Sequence, residues 1–161
     1  MRSVHIVRAK GEGERRWFSG GGVHVWKASA EETSGALIAL EDSLEQGKVT
    51  PLHQHPEQDE LVYVLEGELR VSIAGQEYRV ESGGTMFSPR GVPHAFEVVS
   101  PSARILMVQT PGSGEAFYRE ASEPLLEPAS AGRVDFARIR AAALSTGSTV
   151  IVGPPPFARE E

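Results

Sequence analysis

The chain has 161 residues, enough for one domain with a full hydrophobic core and too few for a second catalytic domain beside it. Its 16 lysines and arginines are scattered among 22 aspartates and glutamates for a net charge of −6, which excludes a basic stripe able to track a nucleic-acid backbone. There is no cysteine, so disulfides and thiolate ligands are excluded as well.

The first residues, MRSVHIVRAKGEGERRW, hold no apolar run long enough for a signal-peptide core or a membrane span, and a cytoplasmic protein without membrane contact is expected. Short extended segments follow at Arg15–Phe18, Val23–Ala28 and 36–44, separated by Gly20-Gly21-Gly22 and by the charged stretch 30–35. Between 59 and 107 the turn signals Glu66-Gly67, Ala74-Gly75, Ser82-Gly83-Gly84 and Pro89-Arg90-Gly91 recur about every eight residues, the rhythm of an antiparallel all-β domain. In the strand after Glu60, Val62 shares the glutamate's face, whereas Leu61, Tyr63 and Leu65 make the opposite face apolar too. That outer face needs a cover, and a second copy of the chain in a homodimer is the expected one.

After Pro111-Gly112 the composition changes. Residues 114–121 read as a short helix and 122–132 as a connector. Residues 135–146 read as a longer helix with Phe136, Ile139, Ala143 and Leu144 along one stripe, closed by Gly147 as a C-cap. A short extended segment at 149–152 ends in Pro154-Pro155-Pro156. The organisation expected is a β-domain over 1–112 with a helical extension, 113–161, packed on its outside; Phe117 or Phe136 is a candidate to close a pocket mouth.

Two glycine- and proline-punctuated segments carry the chemistry. In the first, 47–67, His53 and His55 stand two residues apart, so on a strand both imidazoles face one side about 7 Å apart. The turn formers Pro56, Glu57, Gln58 and Asp59 then return the chain so that Glu60 opens the next strand nearby. In the second, 83–94, the turn Pro89-Arg90-Gly91 delivers His94. Three imidazoles and a carboxylate suit one divalent transition metal ion, be it nickel, iron, manganese, cobalt, copper or zinc, and do not suit calcium or magnesium. His5 and His24 fall outside both segments and read as ordinary strand or surface residues. Phe96, two residues after His94, and Val62 share faces with candidate ligands and are candidate pocket walls. Trp17, Phe18 and Trp26 are further candidates.

The two segments resemble the paired motifs of the cupin superfamily at every anchor but one: where many members have an asparagine four residues after the second-motif histidine, this chain has Val98. The resemblance implies a jelly-roll β-barrel with a short helical C-terminal extension, and it places the family's metal ligands on His53, His55, Glu60 and His94. The whole layout is similar to single-domain bacterial quercetin 2,3-dioxygenase-like cupins. That similarity implies a small-molecule substrate and dioxygen as partners. Glu60 would take the proton of a flavonol-like enolic hydroxyl, and ring opening would release carbon monoxide and a depside. Two other readings share the ligand set: a metal-dependent isomerase, cyclase or decarboxylase on a small enolisable substrate, and a non-catalytic small-molecule-binding cupin.

Overall fold

The structure is a computed structural model that describes residues 4–125 and 134–157. Alternating side chains build it. In strand β3 (Ile38–Glu45), Ile38, Leu40, Asp42 and Leu44 point inward. In β5 (Asp59–Glu66) Glu60, Val62 and Val64 do so, and in β10 (Ser102–Thr110) Ala103, Ile105, Met107 and Gln109. Each row is mostly aliphatic, and burying one such side chain stabilises the fold by about 1.5–3 kcal/mol.

These strands form the middle of a seven-stranded antiparallel sheet in the order β11-β1-β2-β3-β10-β5-β8. Its other members are β1 (Arg15–Phe18), β2 (Val23–Ala28), β8 (Thr85–Ser88) and β11 (Ser122–Pro124). A five-stranded sheet faces it in the order β12-β4-β9-β6-β7. It consists of β4 (Leu52–Gln54), β6 (Glu68–Ile73), β7 (Gln76–Glu81), β9 (His94–Val98) and β12 (Val150–Gly153). The core lies between the sheets, with Leu69, Val71 and Val98 meeting Leu40, Val64 and Ile105. This is the expected all-β double-sheet barrel. The expected segments Arg15–Phe18 and Val23–Ala28 match β1 and β2 to the residue.

The C-terminal part differs in detail from the expectation. Helix α1 (Glu115–Glu120) follows a short 3-10 turn, and helix α2 (Phe136–Thr146) starts at Asp135, whose side chain accepts the Arg138 N–H, and stops at left-handed Gly147. Ser122–Pro124 is an edge strand on β1 rather than connector, because Trp17 and Phe18 present a free edge to it; residues 126–132 of that connector lie outside the described residues. The stripe on α2 is also narrower than expected: Ile139, Ala142 and Ala143 are buried, but Phe136 and Leu144 are 42% and 81% exposed. The turn beside the position where the asparagine is missing is held by the backbone of Val98. Its carbonyl accepts from Gly47 and its N–H donates to Lys48, holding the turn that opens the first segment.

Candidate metal centre and pocket

The two sheets bring the four candidate ligands together from opposite sides. His53 on β4 lies directly across from His94 on β9 in the small sheet, with ring centroids 4.4 Å apart. His55 follows β4, and its carbonyl accepts from Gly91 N–H, so the Pro89-Arg90-Gly91 turn positions it. Glu60 projects from β5 of the large sheet. The same turn is tied to the start of β5 by Arg90, whose guanidinium and backbone N–H donate to Asp59 and hold that carboxyl down at about 2.

Hydrogen bonding decides which ring nitrogens are free. His53 Nδ1 donates to the Pro51 carbonyl at 2.8 Å, His55 Nδ1 to the Ser148 carbonyl at 3.2 Å, and His94 Nδ1 to the Val92 carbonyl at 2.9 Å. A carbonyl only accepts, so each Nδ1 carries the hydrogen and each neutral ring keeps its lone pair on Nε2. The three rings present ligand atoms within 4.8 Å of one another, and the buried Nε2 atoms of His55 and His94 have no hydrogen-bond partner. Unpaired buried lone pairs converging in this way fit a divalent metal ion.

Glu60 completes the cluster. Its Oε2 lies 3.0 Å from His55 Nε2 and its Oε1 3.4 Å from His94 Nε2. Burial pushes the carboxyl pKa up, but the adjoining His55 and His94 outweigh it and hold Glu60 well below the usual carboxylate range. Burial with the neighbouring imidazoles drives His53 well below the usual histidine value. For His94 burial acts downward, but the adjoining Glu60 carboxylate outweighs it and raises the ring above the usual histidine value.

Two further groups face Glu60 that sequence reasoning missed. Gln109, its partner across β5 and β10, donates Nε2 to Oε2 at 3.4 Å, and Tyr118 of α1 donates its hydroxyl to the same oxygen at 3.3 Å. Burial and the Glu60 charge raise Tyr118 far above its usual value, so it stays a donor. Oε2 is thereby anchored and Oε1 is the less occupied oxygen. The only sequence signal for Gln109 was a polar residue on the inward face of an otherwise aliphatic row. Tyr118 gave none, because a six-residue helix has no readable stripe.

Beside the cluster is a cavity of about 70 Å³. Phe18, Val62 and Phe96 line it, as do Phe117, Tyr118 and Ile139 from the C-terminal helices. Trp17 is absent from the lining because β1 turns it away, Trp26 is buried under Arg119 instead, and Phe136 lies on a separate outer groove. His24, read as an ordinary strand residue, also lines the cavity.

Gly114 shows how tightly Gln109 is held: a Cβ there would run into the Gln109 carboxamide. Gly114→Ala is expected to displace that side chain from Glu60, cost about 1–3 kcal/mol of stability by overpacking, and lower turnover more than metal content. Thermal unfolding and metal analysis of the variant check this; unchanged stability would show that the carboxamide moves freely.

A barrel of two antiparallel sheets with three histidines converging between them defines a double-stranded β-helix protein with a candidate metal site. Residues 41–109 match the Cupin domain family, which agrees with that class. It is similar to quercetin 2,3-dioxygenase of Bacillus subtilis, 28% identical over 122 residues, which are 76% of this chain and 36% of that protein. Among solved structures it resembles KdgF from Halomonas sp., with TM-score 0.61 and 20% identity over 67% of this chain and 94% of that one. It also resembles a sugar phosphate isomerase of the cupin superfamily from Silicibacter pomeroyi, with TM-score 0.58 and 25% identity over 65% of this chain and 75% of that one. The chain spans between about a third and about half of the curated relatives it matches. No helix among the described residues is long and apolar enough to cross a membrane.

Proposed function

We propose that the chain is a metal-dependent enzyme in which His53, His55, His94 and Glu60 hold one divalent transition metal and Glu60 also serves as the catalytic base toward an enolisable substrate, with dioxygen as co-substrate. The observation that carries the reading is the convergence of three Nε2 lone pairs, with their Nδ1 atoms committed to carbonyls, on a carboxylate inside an apolar cavity. The metal would supply Lewis-acid polarisation of two neighbouring substrate oxygens and a route for electrons to dioxygen.

The chain's own residues account for the proton. Tyr118 and Gln109 hold Oε2, which leaves Oε1 to take the hydrogen of a substrate hydroxyl. Phe18, Val62 and Phe96 exclude water around the resulting enolate and clamp its flat ring. The likeness to quercetin 2,3-dioxygenase supports a flavonol-like substrate. Anaerobic addition of a flavonol to metal-loaded protein is expected to shift the flavonol absorption, and admission of air to consume oxygen. Absence of turnover across a flavonol panel with each of the candidate metals would refute the substrate.

A second reading has its own observation. The cavity, about 70 Å³, is well below the roughly 300 Å³ at which pockets for drug-sized ligands begin. It suits a smaller substrate isomerised or decarboxylated without dioxygen, and product formed under strict anaerobiosis would establish this reading.

We further propose a homodimer formed through the outer face of β5 and β8. Leu61 and Tyr63 are each 37% exposed there, and Phe87, across from Leu61, is 54% exposed. Light scattering after size exclusion is expected to return twice the chain mass, and Leu61→Glu to return the chain mass; a monomeric wild-type protein would refute the dimer. A soluble cytoplasmic location fits this reading.

A further inference from the structure

The wall of the cavity away from the metal cluster holds a second polar group that the metal chemistry leaves unused. His24 on β2 and Asp42 on β3 are directly cross-strand, and His24 Nδ1 is hydrogen-bonded to Asp42 Oδ1. Lys48 donates its ammonium to the Gly20 carbonyl and sits 5.2 Å from the Phe18 ring centroid. All three line the same cavity as His53 and Glu60, and they are only 4%, 7% and 6% exposed. His24 Nε2 is buried without a hydrogen-bond partner.

Three features set this group apart from ordinary core. First, Asp42 takes an inward position between Leu40 and Leu44, where an aliphatic side chain would pack at no polar cost. Second, a lysine shares the cavity with this pair: Lys48 lines it beside His24 and Asp42, and its buried ammonium has only the Gly20 carbonyl as a hydrogen-bond acceptor among the described residues. Third, the bond to Asp42 gives the neutral ring its hydrogen on Nδ1 and its lone pair on Nε2, the arrangement by which a carboxylate orients a histidine for proton transfer. A buried unpaired nitrogen costs about 1–3 kcal/mol in a purely structural pair; a ligand oxygen at Nε2 removes that cost.

We propose that His24, Asp42 and Lys48 form a second pole of the pocket, which binds the acidic oxygen end, carboxylic or enolic, of a substrate whose other end chelates the metal. His24 Nε2 exchanges a proton with that oxygen. When the substrate arrives as an O–H acid, the hydrogen passes to Nε2, the electron pair stays on the substrate oxygen, and Asp42 balances the imidazolium. The anionic oxygen is then met by both cations, and the same proton returns to the product. Asp42 acts here as a positioning residue. Tyr118, whose ring lies edge-on 5.9 Å from His24, and the Glu60 carboxylate it contacts are the groups facing this pole from the metal side.

The proposal rests on the metal-chelation reading, and two hydroxypyranones separate them. Kojic acid and comenic acid chelate through the same neighbouring hydroxyl and ketone oxygens, but comenic acid carries a carboxylate where kojic acid carries a hydroxymethyl. Zinc-loaded protein labelled with ¹⁵N at its histidines is titrated with each. Comenic acid is expected to bind about tenfold more tightly, the size of one charge-assisted hydrogen bond. The His24 Nε2 resonance should also move from its unprotonated to its protonated position with comenic acid only. In His24→Gln and Lys48→Met the affinity ratio should fall to about one. Equal affinities with an unmoved His24 resonance in the wild-type protein would overturn the second pole and leave the metal site standing. Failure to retain zinc, or to bind either compound when zinc is retained, would overturn both.

Discussion

Replacing His94 with alanine is expected to lower metal affinity by at least about 100-fold, more than the 10- to 100-fold attached to the loss of a residue that merely orients a ligand. His94 donates Nδ1 to Val92, lies against His53, and is approached by Glu60, so its removal takes away one ligand and loosens two others. Calorimetric titration with zinc, or competition against a chelator of known affinity, measures the loss. Ser88→Ala removes only the hydroxyl 2.9 Å from His94 Nδ1 and leaves the Val92 bond, so its effect should be far smaller. Equal losses in the two variants would show that His94 is not a ligand.

The pH dependence of the same titration follows from the directions of the shifts. His94 is raised above its ordinary value of 6.5 in the metal-free protein, so below that raised value it must lose a proton before its Nε2 can ligate. Affinity should therefore rise with pH through this raised value, with release of about one proton per metal, and level off above it. Stability of the metal-free protein has a different sign for each group. His53 is depressed below 6.5 and Glu60 below 4.5, so their contributions are present above those ordinary values and are lost as pH falls through the depressed ones. The contribution of His94 is present below 6.5 and is lost as pH rises through its raised value. Added metal is expected to protect most against unfolding on the alkaline side, where the His94 proton is already gone.

Glu60→Gln is the second large effect. The carboxamide keeps the shape, so Tyr118 and Gln109 retain an oxygen to donate to, and three histidines remain for the metal. The base is lost. Turnover is expected to fall by about 10²–10⁴-fold, the usual contribution of a positioned acid or base, with metal content reduced far less. Steady-state rates set beside elemental analysis of the same preparation decide it. Unchanged turnover would reduce Glu60 to a ligand.

The histidine cluster was legible in the sequence because its determinants are local. Two histidines two apart on a strand must share a face, and turn residues on either side fix where the neighbouring strands begin. β1 and β2 were legible for the same reason, as short extended segments separated by the Gly20-Gly21-Gly22 run. The edge strand Ser122–Pro124 was not: a polar three-residue segment becomes a strand only because Trp17 and Phe18 leave an edge for it. The exposure of Phe136 and Leu144 was likewise hidden, since an apolar stripe does not state how much of its width the partner covers.

His24 shows the boundary most clearly. In the sequence it is one histidine on an alternating strand and Asp42 is one acid on another, eighteen residues away; nothing local relates them. Only the register of β2 on β3 sets them side by side, and only the closure of the two sheets turns both into the cavity that His53 and Glu60 enter from elsewhere. The sequence by itself determined the strand alternation, the turn positions and the ligand types, because each depends on residues a few positions apart. The tertiary structure decided which nitrogen of each histidine is free, which oxygen of Glu60 is anchored by Gln109 and Tyr118, and how much space remains, because each depends on partners that long-range pairing brings together.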